Sequence, residues 1–395
     1  MRETNILSGI RVLDFSRYIA GPYCAALLGY LGADVIRIEK AGGSEDRFVV
    51  PLGGDGGAVF AQSAGNKRSV CLNLKDPRSK DVIRRLVSAA DVVVVNHPPA
   101  GLRELGLDYA SLTAIKPDII LTTQTAYGHT GPWAERGGFD GIGQVMSGAT
   151  YFSGTEGSPM KTAVPYVDFG TALYSAFATL AALYQKRETG AGQHVQASLL
   201  GTAMAFFSPI LIEQAAVARN RVGSGNRSQT SAPSDVFATA DGHVLLHVVG
   251  NGIFRRLARV LDREDWLADD TLQSDDARGE ARDRICAAVA QWCATRSTAE
   301  ILDKMAALGV PCGPVLKPAE ALVHPQAAAM DFFSRIPLPG LADDATVVDF
   351  PVAMSGADVG LHSGIPATGE HSAAVLAEHG YSDEEIAAFR RDGVI

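Results

Sequence analysis

The run Asp91–Asn96 (DVVVVN) places four consecutive valines between polar residues. A strand with one face in water alternates apolar and polar side chains, whereas an unbroken β-branched run needs cover on both faces, as in a parallel sheet layered between helices. Neighbouring segments fit that arrangement. Arg11–Ser16 (RVLDFS), Asp34–Glu39 (DVIRIE) and Ile119–Thr125 read as further strands. Between them lie helical patterns. One is opened by Pro22, continues through Cys24–Leu31 and closes at Gly32. Another starts at Pro77, with Val82, Ile83, Leu86 and Val87 on one stripe and Arg78, Arg84 and Arg85 off it, and a third lies near Leu107–Ile115. Strands alternating with helices predict an α/β fold with a doubly wound, largely parallel sheet.

Beyond Thr125 the pattern changes. From Asp140 to Pro165 the chain is rich in Gly, Ser and Thr and loses periodicity. Leu173, Phe177, Leu180 and Tyr184 then recur at helical spacing, predicting a long helix that ends before Gly190. Gly223-Ser224-Gly225-Asn226 reads as a linker, and Asp241-Gly242 as the turn of a hairpin. Helices are expected at roughly 252–261, 281–295 and 298–308. Two short ones close the chain, the first stopped by Gly380 and the second opened by Ser382 with Glu385 in a capping box. The expected organisation is a large α/β domain (1–225), a smaller α+β domain (226–325) and a C-terminal segment (326–395) returning to the large one.

Of the 395 residues, 47% are hydrophobic and 20% charged, ordinary globular values. The net charge of −9 comes from acids dispersed along the chain, so neither nucleic acid nor an anionic membrane is an expected partner. The longest nearly apolar stretch, 171–184, is shorter than the ~18 residues of a membrane span. Arg2, Glu3, Arg11 and Asp14 interrupt any signal-peptide core. Five cysteines without a CxxC pair fit a reducing, cytoplasmic compartment better than a disulfide scaffold or zinc ribbon.

Several common sites are absent. There is no GxxxxGK[ST] phosphate loop and no GxSxG elbow, and Gly141-Ile142-Gly143 lacks a glycine at Met146 to complete a dinucleotide fingerprint. His243 and His247 lack a third ligand nearby, so no metal is expected. One carboxylate stands out. Asp168, in VPYVDFGTALY, sits where the glycine-rich stretch meets the long helix. Asp is a favoured N-cap, and most such residues do nothing else. The same place also suits a nucleophile, because free N–H groups and the helix dipole stabilise a carboxylate that can form a covalent intermediate.

The opening IRVLDFSRYIAGPYCAALLGYLGADVIRIEK resembles that of class III coenzyme A transferases, the group of formyl-CoA:oxalate and carnitine-CoA transferases. NKRSVCLNLKDP, ADVVVVNHPPAGLRELGLDY, GHTGPWAERGGFDGIGQVMSG, VDFGTALYSAFATLAALYQKRETGAGQHV and GEHSAAVLAEHGYSDEEI follow in the family's order and cover almost the whole chain. The resemblance implies that Asp168 is the nucleophile and that Asp140 is the auxiliary carboxylate. An acyl-CoA donor and a carboxylic acid acceptor would be the substrates, small dicarboxylates among them. Coenzyme A thioesters would enter as substrates, with no permanently bound cofactor. It further implies coenzyme A contacts at Tyr18, Ile19, Ala20, Lys40, Leu72, Asn73, Leu74, Lys75, Asn96, His97, Arg103 and Arg136, and an interlocked homodimer.

Two departures from the family pattern are visible. Relatives often carry the arginine of position 103 one residue later, where this chain has Glu104. Some also have a glycine run over the site, where this chain offers only residues 223–226. Two other readings remain open. α-Methylacyl-CoA racemases share the fold and use a His-Asp pair as one acid/base arm. The corresponding stretch here is Gly138-Phe139-Asp140, and phenylalanine carries no proton. The second is a non-catalytic coenzyme A or nucleotide-binding α/β protein.

Overall fold

The computed structural model describes residues 5–52 and 56–395; Arg2 and Glu3 lie outside the described residues. The chain forms two compact units. One comprises residues up to Ser147, Ala163–Ala215 and Pro325–Ile395, and the other Gly148–Thr162 and Ala216–His324. Residues 148–162 and 216–225, assigned to the large domain on sequence, thus group with the second unit.

The first unit is built on six parallel strands: β1 (Arg11–Asp14), β2 (Asp34–Glu39), β3 (Lys67–Cys71), β4 (Val92–Val95), β5 (Ile120–Thr125) and β6 (His194–Ser198). Their order is β3-β2-β1-β4-β5-β6. The winding direction reverses between β1 and β4, which opens a crevice at their carboxyl ends. The valine run behaves as its composition demands. Val92 and Val94 join Val12, Val35 and Ile120 in one core, against the helix Ala20–Tyr30 and against Ala172 and Ala176 of the long helix. Val93 and Val95 join Leu13, Ile36 and Leu121 in the other, with Val82 and Leu86 from the helix Ser79–Ser88 and with Val375, Leu376 and Ile386 near the C-terminus. Each fully buried valine contributes about 1.5–3 kcal/mol, so a charged residue at any of the four positions would unfold the sheet.

The second unit holds the three-stranded antiparallel sheet of β7 (Ser234–Ala238), β8 (His243–His247) and β9 (Cys312–Pro314), with Phe254, Trp266, Ile285 and Met305 in its core. His243 and His247 project from one exposed face of β8, and His247 Nδ1 lies 2.8 Å from Ser234 Oγ. Among the described residues no His, Cys, Asp or Glu cluster could hold a metal, and all five cysteines are unpaired. A separate hairpin, β10 (Phe333–Ile336) and β11 (Ala345–Val348), belongs to the first unit. No single described helix is long and apolar enough to cross a membrane; only the bent pair Leu199–Phe206 and Ser208–Val217 passes by length and composition.

The stretch beginning at Asp140, expected to be irregular, is helical at Asp140–Met146 and Ala149–Ser153. Gly141 and Gly143 hide the first of these from propensity. Gly143 is required there, because a Cβ would lie 2.8 Å from Val167 Cγ1. The short helix thus presses directly on the start of the long helix Tyr166–Thr189.

Candidate active site

A cavity of about 450 Å³ lies at the carboxyl ends of β1, β4 and β5. Its walls are the turn Arg17–Ala20 after β1, Asn96–Pro98 after β4, Gln124–Ala126 from β5, the segment Arg136–Phe139, Ile142, Leu199 and Asp168. Gly21 lets the β1 turn close, since a Cβ there would meet Ser16 Cβ at 2.2 Å. Tyr18 adopts left-handed backbone (φ 65°), a strained conformation for a non-glycine residue. Buried groups hold it. Arg37 Nη2 donates to both oxygens of Asp46 at 2.7 and 2.9 Å, and Asp46 accepts from the Tyr18 N–H at 3.1 Å. Nearby, Lys67 Nζ donates to Asp14 at 2.8 Å, and Asp14 accepts from the Ser16 N–H at 3.0 Å. This ionic floor is fully buried, so removing one partner would strand a charge in the interior.

Asp168 is the third residue of the long helix and only 8% exposed. It is not the N-cap expected from sequence. That work falls to Asp140, whose Oδ2 accepts from the N–H of Val167 at 2.8 Å and of Asp168 at 3.1 Å. Gln144 Nε2, one turn along the short helix, donates to Asp140 Oδ1. Two helix N–H groups are therefore already used, and Asp168 is left to a different environment. Burial first, and then the Asp140 carboxylate, push its pKa from the ordinary 3.8 up to about 7; the Asp140 backbone N–H offsets this only in part. Burial and the neighbouring charge thus outweigh the helix end, which by itself would favour the carboxylate.

A second cavity of about 540 Å³ adjoins the first, sharing Arg17 and His97, and runs along the carboxyl ends of β2 and β3. Ile38–Ala41, Leu72–Lys75, Glu45, Leu105 and Leu107 line it. Lys40 and Lys75 supply positive charge, though Lys40 pairs with Glu45 at 2.5 Å. Burial, and then the Arg17 charge, hold His97 below its ordinary pKa, so its ring is neutral at pH 7.

The structure therefore gathers Tyr18, Ile19, Ala20, Asn96, His97, Arg136 and Asp168 around the first cavity, and Lys40, Leu72, Asn73, Leu74, Lys75 and His97 around the second. Asn96 is engaged with the backbone: it accepts from the Arg17 N–H at 2.8 Å and donates to the Arg17 carbonyl at 2.6 Å, tying β4 to the β1 turn. The guanidinium of Arg136 stacks on Trp133, 4.2 Å from the ring centroid. Arg103 lines neither cavity and pairs with Glu135 at 3.1 Å on the surface. Phe139, in the place where a racemase histidine would stand, lies edge-on to Tyr18 with ring centroids 5.1 Å apart. Sequence reasoning missed Arg17, Gln124 and Leu199. For Gln124 the available signal was a polar side chain at the carboxyl end of a buried parallel strand, where such sheets bind ligands.

Comparison with known proteins shows the family. The family described as CoA-transferase family III matches residues 7–372. A succinate–glutarate CoA-transferase of Agrobacterium fabrum is 34% identical over 388 residues, covering 94% of this chain and 95% of that protein. The succinyl-CoA:glutarate CoA-transferase of Homo sapiens is 30% identical over 329 residues, covering 82% and 75%. Among solved structures, a CAIB/BAIF family protein from Brucella suis is similar with a TM-score of 0.84 at 31% identity, covering 96% of this chain and all of that one. With matching motifs, topology and near-complete coverage, the chain belongs to CoA-transferase family III.

Proposed function

We propose that this protein transfers coenzyme A between small organic acids, dicarboxylates among them, through a covalent thioester on Asp168. The observation that carries this reading is a desolvated carboxylate lining the cavity at the switch point of a parallel sheet. In the first step an Asp168 oxygen attacks the thioester carbonyl of the donor. The C–S bond breaks, coenzyme A leaves as thiolate, and a mixed anhydride remains. The thiolate then attacks the aspartyl carbonyl, the anhydride C–O bond breaks, and the donor acid departs as carboxylate. The acceptor carboxylate attacks the resulting aspartyl thioester, and the same two steps in reverse give the new acyl-CoA and free Asp168. Overall one thioester is exchanged for another, so the net energy change is small, and no net proton or electron is consumed. Splitting one difficult transfer into four easier displacements is the gain of covalent catalysis.

Two features support these roles. A carboxylate with a pKa near 7 is more basic than an ordinary aspartate and so a better nucleophile. Oxyanion donors are also at hand. Among the described residues the N–H groups of Gly137 and Gly138 have no protein acceptor, and both residues line the cavity. Asp140 positions Asp168 by holding the first turn of its helix. The second cavity suits the nucleotide end of coenzyme A, with Lys75 and Lys40 toward its phosphates. Phe139 cannot act as an acid or base, which argues against racemisation.

A second copy of the chain is the partner we assign to the exposed apolar stripe of Leu173, Phe177 and Tyr184 and to the helix Ser208–Val217, which buries no residue of its own. Light scattering at twice the chain mass is expected. The transfer reading is tested by label exchange between succinyl-CoA and labelled succinate. Exchange by the wild-type protein that vanishes in Asp168→Asn supports it, and undiminished exchange in that variant refutes it.

A further inference from the structure

Gln124, the penultimate residue of β5, is 2% exposed, and neither its Oε1 nor its Nε2 has a hydrogen-bond partner. Buried polar side chains are nearly always paired, so an amide orphaned at both ends calls for a reason. Its place supplies one. Gln124 lines the cavity that also holds Asp168. Packing alone does not require an amide here, because leucine or methionine fills a similar volume without buried polar atoms. The amide has both a donor and an acceptor to satisfy, in whichever of its two orientations it sits.

We infer that the Gln124 carboxamide is the polar contact for the acyl group undergoing transfer, and that it favours acids bearing a hydroxyl beside the reacting carboxyl. Such an acid satisfies both orphaned atoms: a carboxyl oxygen accepts from Nε2, and the adjacent hydroxyl donates to Oε1. An acid lacking the hydroxyl satisfies only the first. Because a pocket built to hydrogen-bond a substrate hydroxyl discriminates against the analogue without it, selectivity follows from the unpaired acceptor. This inference rests on the Asp168 reading, since it needs the acyl group to pass through this cavity.

The test charges the full-length protein with succinyl-CoA, confirms the coenzyme A adduct by mass, and measures its single-turnover discharge by matched acids, 2-hydroxysuccinate against succinate and lactate against propionate. Wild type is expected to discharge to each hydroxy acid about tenfold faster than to its partner, the worth of one net hydrogen bond. In Gln124→Leu and Gln124→Met the ratio is expected to fall to about one, both acids losing rate and the hydroxy acid about tenfold more, while thermal stability is kept or raised. Gln124→Met decides if the leucine variant does not fold. A ratio near one in wild type, or one unchanged in both variants, overturns the inference while leaving Asp168 as nucleophile. Absence of any adduct in wild type removes both.

Discussion

Replacing Asp168 by asparagine deletes a charge that the fold keeps out of water while preserving the shape of the side chain. A carboxyl whose pKa is higher in the folded than in the unfolded state binds a proton more readily when folded. The wild-type protein therefore loses stability as pH rises from about 4 to about 7, and loses no more from this group above that. The distance from the ordinary 3.8 to about 7, at ~1.36 kcal/mol per pH unit, is worth ~4 kcal/mol. The asparagine amide does not titrate, so Asp168→Asn is expected to match wild type near pH 4 and to exceed it at pH 8 by up to that amount. For a chain of 395 residues, with about 2.1 cal/mol/K of unfolding entropy per residue, this corresponds to a Tm higher by roughly 5 °C. Thermal melts of both proteins from pH 4 to pH 8 read it directly. A Tm difference that does not grow with pH, or a variant less stable at pH 8 than at pH 4 relative to wild type, would show that Asp168 is well solvated or serves as a cap.

The same carboxylate must be ionised to attack, so adduct formation with succinyl-CoA is expected to rise with pH along a single limb centred near 7. Asp140→Asn keeps a hydrogen-bond acceptor near the Val167 and Asp168 N–H groups but removes the repelling charge, and should move that limb to lower pH in stopped-flow traces. Gly143→Ala drives a methyl to 2.8 Å from Val167 and 3.2 Å from the Leu199 carbonyl. A loss of about 1–3 kcal/mol in denaturation, with slower adduct formation, is expected. If the second cavity holds the coenzyme A phosphates as proposed, Lys75→Ala should raise KM for acyl-CoA with little change in kcat, because such a contact contributes equally to ground and transition states.

The central sheet was legible because its code is local. The valine run, the flanking apolar segments and the intervening helical stripes each carry their own periodicity, and both cores are assembled from them. The edge strands were not. β3 reads as a polar segment, and it is a strand because Lys67 meets Asp14 while Arg68 meets Asp34 and Glu378. β6 (HVQAS) is a polar edge whose pairing with β5 no propensity announces. At the site, the matching motifs single out Asp168, but its burial is not legible in them. An aspartate at the start of a helix looks like its cap, and only the fold reveals a second aspartate, 28 residues earlier, that takes the N–H groups first. Gln124 stayed hidden for a similar reason: its lack of partners is a property of three dimensions.

The most direct measurement is peptide mass spectrometry of the protein quenched during turnover with succinyl-CoA. A coenzyme A thioester on the peptide that contains Asp168, discharged on adding a carboxylic acid and missing from Asp168→Asn, is the predicted result. Steady turnover with no modified peptide, or with the adduct on another residue, would contradict the account.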